Sequence, residues 1–233
     1  KKPVGNAGIK LNYDGGRWLE TFEYKPALTG NGVGIRHNVA PGMAITSSTV
    51  TSGTTTNDAT IALTFTVTGT GKKTKNFATG DITVTNGEIS NFATTNADGL
   101  GYATIFTATF TPTGEGVCTI DVGAGAFTDI EGDDNTAASQ FKWTYDATPP
   151  TMTITSTTVT SGDTSSDATI LLTFTSSEDT TTFAASDITV TNGSIGSTFA
   201  STNAKVYTAT FTPSANGACT ISVAAGAFTD EAG

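Results

Sequence analysis

Apolar and polar residues alternate along most of this chain. Ile61, Leu63, Phe65 and Val67 fall on one side of their segment, with Thr60, Thr64 and Thr66 on the other. Phe106, Ala108 and Phe110 repeat the pattern, as do Tyr207, Ala209 and Phe211. The same holds for Phe141, Trp143 and Tyr145, for Cys118, Ile120 and Val122, and for Cys219, Ile221 and Val223. A period of two is that of a strand with one face buried. No segment carries the 3.6-residue period of an amphipathic helix. The alternation therefore predicts an all-β protein.

Self-comparison organises the strands. Asp58-Ala-Thr-Ile-Ala-Leu-Thr-Phe65 returns with one change at Asp167–Phe174, and Asp81-Ile-Thr-Val-Thr-Asn-Gly87 returns unchanged at Asp187–Gly193. Thr107–Pro112 returns at Thr208–Pro213, and Gly125-Ala-Phe-Thr-Asp129 at Gly226–Asp230. Two homologous domains follow, at 43–150 and 151–233. Turn-forming residues recur every ten or so positions, as in an Ig-like sandwich of about seven strands and about 100 residues. Asn86-Gly87 and Asn192-Gly193 predict tight hairpin turns, because both residue types tolerate positive φ. Ala147-Thr148-Pro149-Pro150 forms a short, stiff linker. The fold class is thus two tandem Ig-like β-sandwiches preceded by an extended N-terminal arm, residues 1–42.

Asp81–Gly87, Tyr207–Pro213 and Gly226–Asp230 resemble the bacterial Ig-like repeats of large surface adhesins. The resemblance covers residues 43–233 and leaves out 1–42. It implies an extracellular stalk or adhesion role and carries no catalytic residues.

The first copy continues past Gly132 into Phe141-Lys142-Trp143-Thr144-Tyr145, a closing strand with its aromatic side inward. No such strand follows Phe228-Thr229-Asp230 in the second copy, which predicts an open sheet edge and an apolar groove. The arm offers candidates to fill it. Trp18, Phe22 and Tyr24 share one alternating face interrupted by Glu20, and Thr21–Tyr24 resembles Lys142–Tyr145 in pattern. Val33, Ile35 and Val39 alternate just before the first domain, but alignment through Pro41 and Pro150 leaves them one residue out of phase with Phe141, Trp143 and Tyr145. Ile9, Leu11 and Tyr13 form a weaker third option. These two main stretches are the expected subunit interface.

Charge sharpens the picture. The chain has 11 Lys plus Arg and 21 Asp plus Glu, a net charge of −10. Six of the basic and three of the acidic residues lie in 1–42, so the arm balances at 6 − 3 = +3 and the rest at 5 − 18 = −13. Opposite charge on arm and body favours head-to-tail contact between copies. The expectation is a fibre or pilus-like filament in which one copy's arm completes the second domain of its neighbour, a donor-strand complementation. Arm and groove are different surfaces, so the contact is heterologous and propagates. The alternative expectation is a stalk or spacer segment of a large bacterial adhesin.

Other functions find less support. An acidic body lacks the basic face that nucleic-acid binding requires, and no apolar run is long enough to span a membrane as a helix. No nucleophile motif or phosphate loop is present, and His37, the one His, sits in a Gly/Asn/Pro-rich approach with no catalytic companion. The expectation is a protein without enzymatic activity or cofactor. Cys118 and Cys219 sit at equivalent positions on apolar faces and read as small core residues. Asp129, Glu131, Asp133 and Asp134 crowd one turn and Asp146 opens the linker. Oxygen-only ligands in loops suit Ca²⁺, and the adhesin resemblance implies stiffened junctions. Asp129, Glu131, Asp133 and Asp146 are therefore weak calcium candidates. Thr is more than a fifth of the chain, which allows O-linked glycans, although strand faces account for Thr unaided.

Overall fold

The computed structural model describes residues 39–180 and 182–233. The first domain runs β1 (Gly42–Ser47), β2 (Thr55–Thr56), β3 (Ile61–Thr68), β4 (Ile82–Thr85), β5 (Gly87–Thr94), β6 (Ile105–Pro112), β7 (Gly116–Val122) and β8 (Phe141–Tyr145). One sheet has the order β1-β3-β6-β5 and the other β2-β8-β7-β4. In the first, Ile61 faces Phe110, Leu63 faces Ala108 and Phe65 faces Phe106. The alternation predicted for these strands is borne out: all six side chains are buried, and they share one core with Cys118, Ile120, Val122 and Trp143 from the second sheet. A sandwich results because each sheet has one apolar face to hide.

The second domain runs β9 (Met152–Ser156), β10 (Ile170–Ser176), β11 (Ile188–Thr191), β12 (Gly193–Ile195), β13 (Ala200–Ser201), β14 (Val206–Pro213) and β15 (Thr220–Val223). Its first sheet, β12-β14-β10-β9 with β13 also on β14, repeats the first domain's. Leu172 faces Ala209 and Phe174 faces Tyr207, all buried. Its second sheet has two strands, β11 and β15, where the first domain has four.

One aromatic ring organises each core. Phe77 lies 5.2–5.7 Å from the ring centres of Phe65, Phe92, Phe106 and Phe127. Phe183 repeats this with Phe174, Phe199, Tyr207 and Phe228 at 5.0–5.7 Å. Edge-to-face contacts of this kind add to area burial.

The predicted Asn-Gly hairpins are not hairpins. β4 pairs with β7 and β5 with β6, so the chain changes sheet between Thr85 and Gly87. Asn86 and Asn192 do take positive φ, at 53° and 52°. Each glycine serves close approach instead. A Cβ on Gly87 would lie 2.1 Å from Phe110 Cζ, and one on Gly193 2.2 Å from Phe211 Cζ.

Candidate functional site

The two domains part company along one edge. In the first, β8 lies antiparallel to β7, with Cys118 opposite Trp143 and Ile120 opposite Phe141. On its other side β8 runs parallel to β2. There Gly53 N–H donates to the Lys142 carbonyl at 2.7 Å, and Thr144 N–H donates to the Thr54 carbonyl at 2.9 Å. One strand is thus held from both sides. Trp143 is 1% exposed, with its ring 4.7 Å from that of Phe110.

Among the described residues, the second domain has no strand in that position. The consequence is visible residue by residue. Cys118, Ile120 and Ile61 are wholly buried, while their counterparts Cys219, Ile221 and Ile170 are half-buried. Val50 is buried and Val159 is half-buried. The expectation of two core cysteines holds for Cys118, while Cys219 packs against the second core but is half-buried, with no strand over it among the described residues. Burial also pushes the Cys118 thiol up from its ordinary range. β15 orders four residues where β7 orders seven, as a ladder does without its neighbour. The receiving loop opposite is nevertheless preserved: Gly162 has φ 95° against 97° for Gly53. Its N–H, the counterpart of the donor to Lys142, finds no acceptor among the described residues. Among the described residues, the place that β8 fills in the first domain is thus unpaired in the second, beside β15 and the Gly162 turn and next to the half-buried Cys219 and Ile221.

Of the expected interface residues, Trp18, Phe22, Tyr24, Val33 and Ile35 lie outside the described residues, as does His37. Val39 is described and is 42% exposed.

The calcium candidates divide into two places. Asp129, Glu131 and Asp133 surround the ammonium of Lys72, whose Nζ donates to them at 2.5, 2.8 and 3.4 Å. Lys72 and Asp129 are 7% and 5% exposed. Burial alone would lower the Lys72 pKa, but the hydrogen bonds and charges of Asp129 and Glu131 outweigh it and raise it well above the usual range. Burial alone would raise Asp129. Lys72 and the N–H groups of Asp133 and Glu131 hold its carboxyl below the usual range. Lys72 thus sets one positive charge among three carboxylates, and a metal ion held by Asp129, Glu131 and Asp133 would compete with it for their oxygens. Sequence reading missed Lys72 because it stands 57 residues from Asp129.

Asp146 belongs elsewhere. It gathers with Glu178 and Asp230 at the junction of the domains, with carboxylate oxygens within 4.8 Å of one another. Counting back from the paired Phe77 and Phe183, Glu178 stands where Lys72 stands in the first domain, and Asp230 matches Asp129. The cation of one domain is replaced by an anion in the other. Burial first, then Asp146 and Asp230, raise the Glu178 pKa, and Lys205 partly opposes them. Oxygen donors fit a hard cation, but three side chains are few against the roughly six to eight oxygens that Ca²⁺ takes. The junction is also tied directly. Asn57 Nδ2 donates to the Gly233 carbonyl at 2.7 Å, and the Thr148 hydroxyl donates to Glu115 at 2.5 Å.

A search of curated proteins gave no match. Among solved structures, domains 4–9 of the surface layer protein SbsC align over 77% of this chain and 29% of that one, at 14% identity and a TM-score of 0.24. The bacterial Ig-like domain family matches residues 37–145 and again 146–233. The chain belongs to that family, as two tandem copies of its domain.

Proposed function

We propose that this chain is a non-enzymatic structural module of the bacterial cell surface, and that its second domain is completed by a strand from the N-terminal arm of a neighbouring copy. Copies would then join head to tail into a filament outside the cell. The observation that carries this reading is that β15 pairs with β11 alone among the described strands, where its counterpart β7 pairs with β8 as well. Strand addition to such an edge takes its affinity from main-chain hydrogen bonds and its specificity from side-chain pockets. The arm's +3 against the body's −13 favours that encounter over body-to-body contact. The contact uses different surfaces on each copy, so it propagates instead of closing on a pair.

Removal of residues 1–31 tests the reading. The 233-residue chain should sediment as a concentration-dependent series of oligomers and appear as beads on a line by electron microscopy. The truncated chain should be monomeric and less stable in its second domain. A chain that is monomeric at all concentrations, with or without 1–31, would overturn filament assembly.

A second reading is a spacer within a longer surface protein. The junction contacts favour it, because Asn57–Gly233 joins the two domains and Glu115–Thr148 fixes the linker on the first. In that case truncation leaves the domains unchanged.

A further inference from the structure

We infer that residues 19–26 supply the added strand, in the register that sets Phe22 opposite Ile221 and Tyr24 opposite Cys219 of a second copy; this rests on the strand-addition reading above. The first domain shows what its slot demands. Ala138 is half-buried against the core, Ser139 and Gln140 are exposed, and Phe141 is buried. Lys142 is exposed, Trp143 is buried, and Thr144 and Tyr145 are half-buried. Laid on that template, Leu19 takes the place of Ala138, Phe22 that of Phe141, Tyr24 that of Trp143 and Pro26 that of Tyr145. Glu20, Thr21, Glu23 and Lys25 fall on Ser139, Gln140, Lys142 and Thr144. Every core-facing position receives an apolar or aromatic residue, and every outward one a polar residue.

Neighbouring registers fail this match. A two-residue slip sets Phe22 on Trp143 and Tyr24 on Tyr145. It drives Glu20 into the buried place of Phe141 and Leu19 onto the exposed place of Gln140. A carboxylate buried there without a partner is costly. A one-residue slip turns the aromatic face outward. The stretch 33–39 would fill the places of two large aromatic rings with Val33 and Ile35. Its Gly32 and Gly34 lose more freedom on ordering than other residues do.

The walls agree with the assignment. In the first domain Thr144 pairs with Thr55. The counterparts of Thr54 and Thr55 are Asp163 and Thr164, so in this register Lys25 pairs with Thr164. The Glu23 carbonyl takes the place of the Lys142 carbonyl, which accepts from Gly53 N–H and the Ser52 hydroxyl. It thereby meets their counterparts Gly162 and Ser161.

The native Cys219 makes the register measurable. Directly opposed residues of antiparallel strands have Cα atoms about 4.5–5.5 Å apart, within disulfide reach. Under mild oxidation the 233-residue chain carrying Tyr24→Cys should form a ladder of covalent multimers on a non-reducing gel. Adding Cys219→Ser should abolish it, and Phe22→Cys or Ile35→Cys should give little. A ladder from Phe22→Cys or Ile35→Cys with Tyr24→Cys blank would overturn the register and leave strand addition standing. A fast-migrating monomer with an internal link would overturn the intermolecular assignment. Assembly that is blind to residues 1–31 would overturn the underlying reading. Two variants check the register without a cross-link. Tyr24→Trp, which restores the residue of β8, should lower the concentration needed for assembly, whereas Glu20→Phe should not. Strengthening by Glu20→Phe alone would mean the two-residue slip.

Discussion

The two domains share a first sheet, an aromatic hub and a set of turns, yet among the described residues one is sealed and the other is open along one edge. Phe77 and Phe183 make the same four ring contacts, and Gly87 and Gly193 lie against equivalent rings. The difference is confined to the second sheet. There β8 protects Cys118 and Ile120 completely, and the second domain leaves Cys219 and Ile221 half-covered. The comparison teaches that the first sheet and hub are alike in both domains, although among the described residues only the first has a closing strand. The closing strand protects the second sheet of the first domain.

The comparison breaks most sharply at Trp143. Truncating a large buried aromatic costs about 3–5 kcal/mol. Trp143→Ala should lower the denaturation midpoint of the first domain by a corresponding amount. It should also uncover Cys118, so that its reactivity towards an aromatic disulfide reagent rises towards that of Cys219 in the arm-truncated chain. Unchanged Cys118 protection would mean that the closing strand does not make the difference between the two thiols.

The next largest effect lies at Lys72. Lys72→Met leaves Asp129 buried without its cation, a change of about 3 kcal/mol or more in sites this enclosed. The pH dependence carries a sign. Asp129 has a folded pKa held below its unfolded one, so its contribution is present above the unfolded value and is lost as pH falls through the folded value. Denaturation of the parent chain across the acid range should show that loss in the first domain, and the Lys72→Met chain should show less of it.

Much of this was legible in the sequence, and what was not shares a cause. Alternation placed the strands containing Phe65, Phe110 and Trp143, and the duplicated motifs placed the domain repeat, because both signals are local or in sequence order. That β15 has one neighbour among the described strands, where β7 has two, was expected from setting one copy beside the other. Asn86-Gly87 misled: turn chemistry reports a backbone conformation but not the sheet that the next strand joins, and Gly87 is required by the Phe110 ring. The acidic turn was legible only in part, for a similar reason. Asp129 announced its charge, but the Lys72 that answers it lies far away in sequence, and Glu178 and Asp230 reach Asp146 only through the fold.

The shared half supplies a control. Adding a methyl group in a packed place costs about 1–3 kcal/mol. Gly87→Ala and Gly193→Ala press on rings in equivalent surroundings, at 2.1 and 2.2 Å. The two substitutions should therefore destabilise their own domains equally, as read from separate denaturation midpoints. A markedly smaller loss for Gly193→Ala would show that the open edge loosens the shared half too.

The smallest effect, and the one that bears most closely on the junction, belongs to Glu178. Burial and the carboxylates of Asp146 and Asp230 raise its folded pKa above its unfolded one. A raised carboxylate pKa means that the folded state holds the proton more tightly. Its contribution is then fully favourable below the unfolded pKa and is lost as pH rises through the folded one. At neutral pH three carboxylates repel one another across the two domains, at the position that Lys72 neutralises in the first. Glu178→Lys installs that cation and should stabilise the second domain at pH 7 by less than about 1 kcal/mol, the scale of partly exposed ion pairs. Glu178→Gln should remove the acid-side gain without adding an attraction. Urea denaturation of the three chains at pH 4 and pH 7 checks both expectations. If Glu178→Lys proved no more stable than Glu178→Gln at pH 7, the charge reversal between the domains would have no bearing on how they are joined.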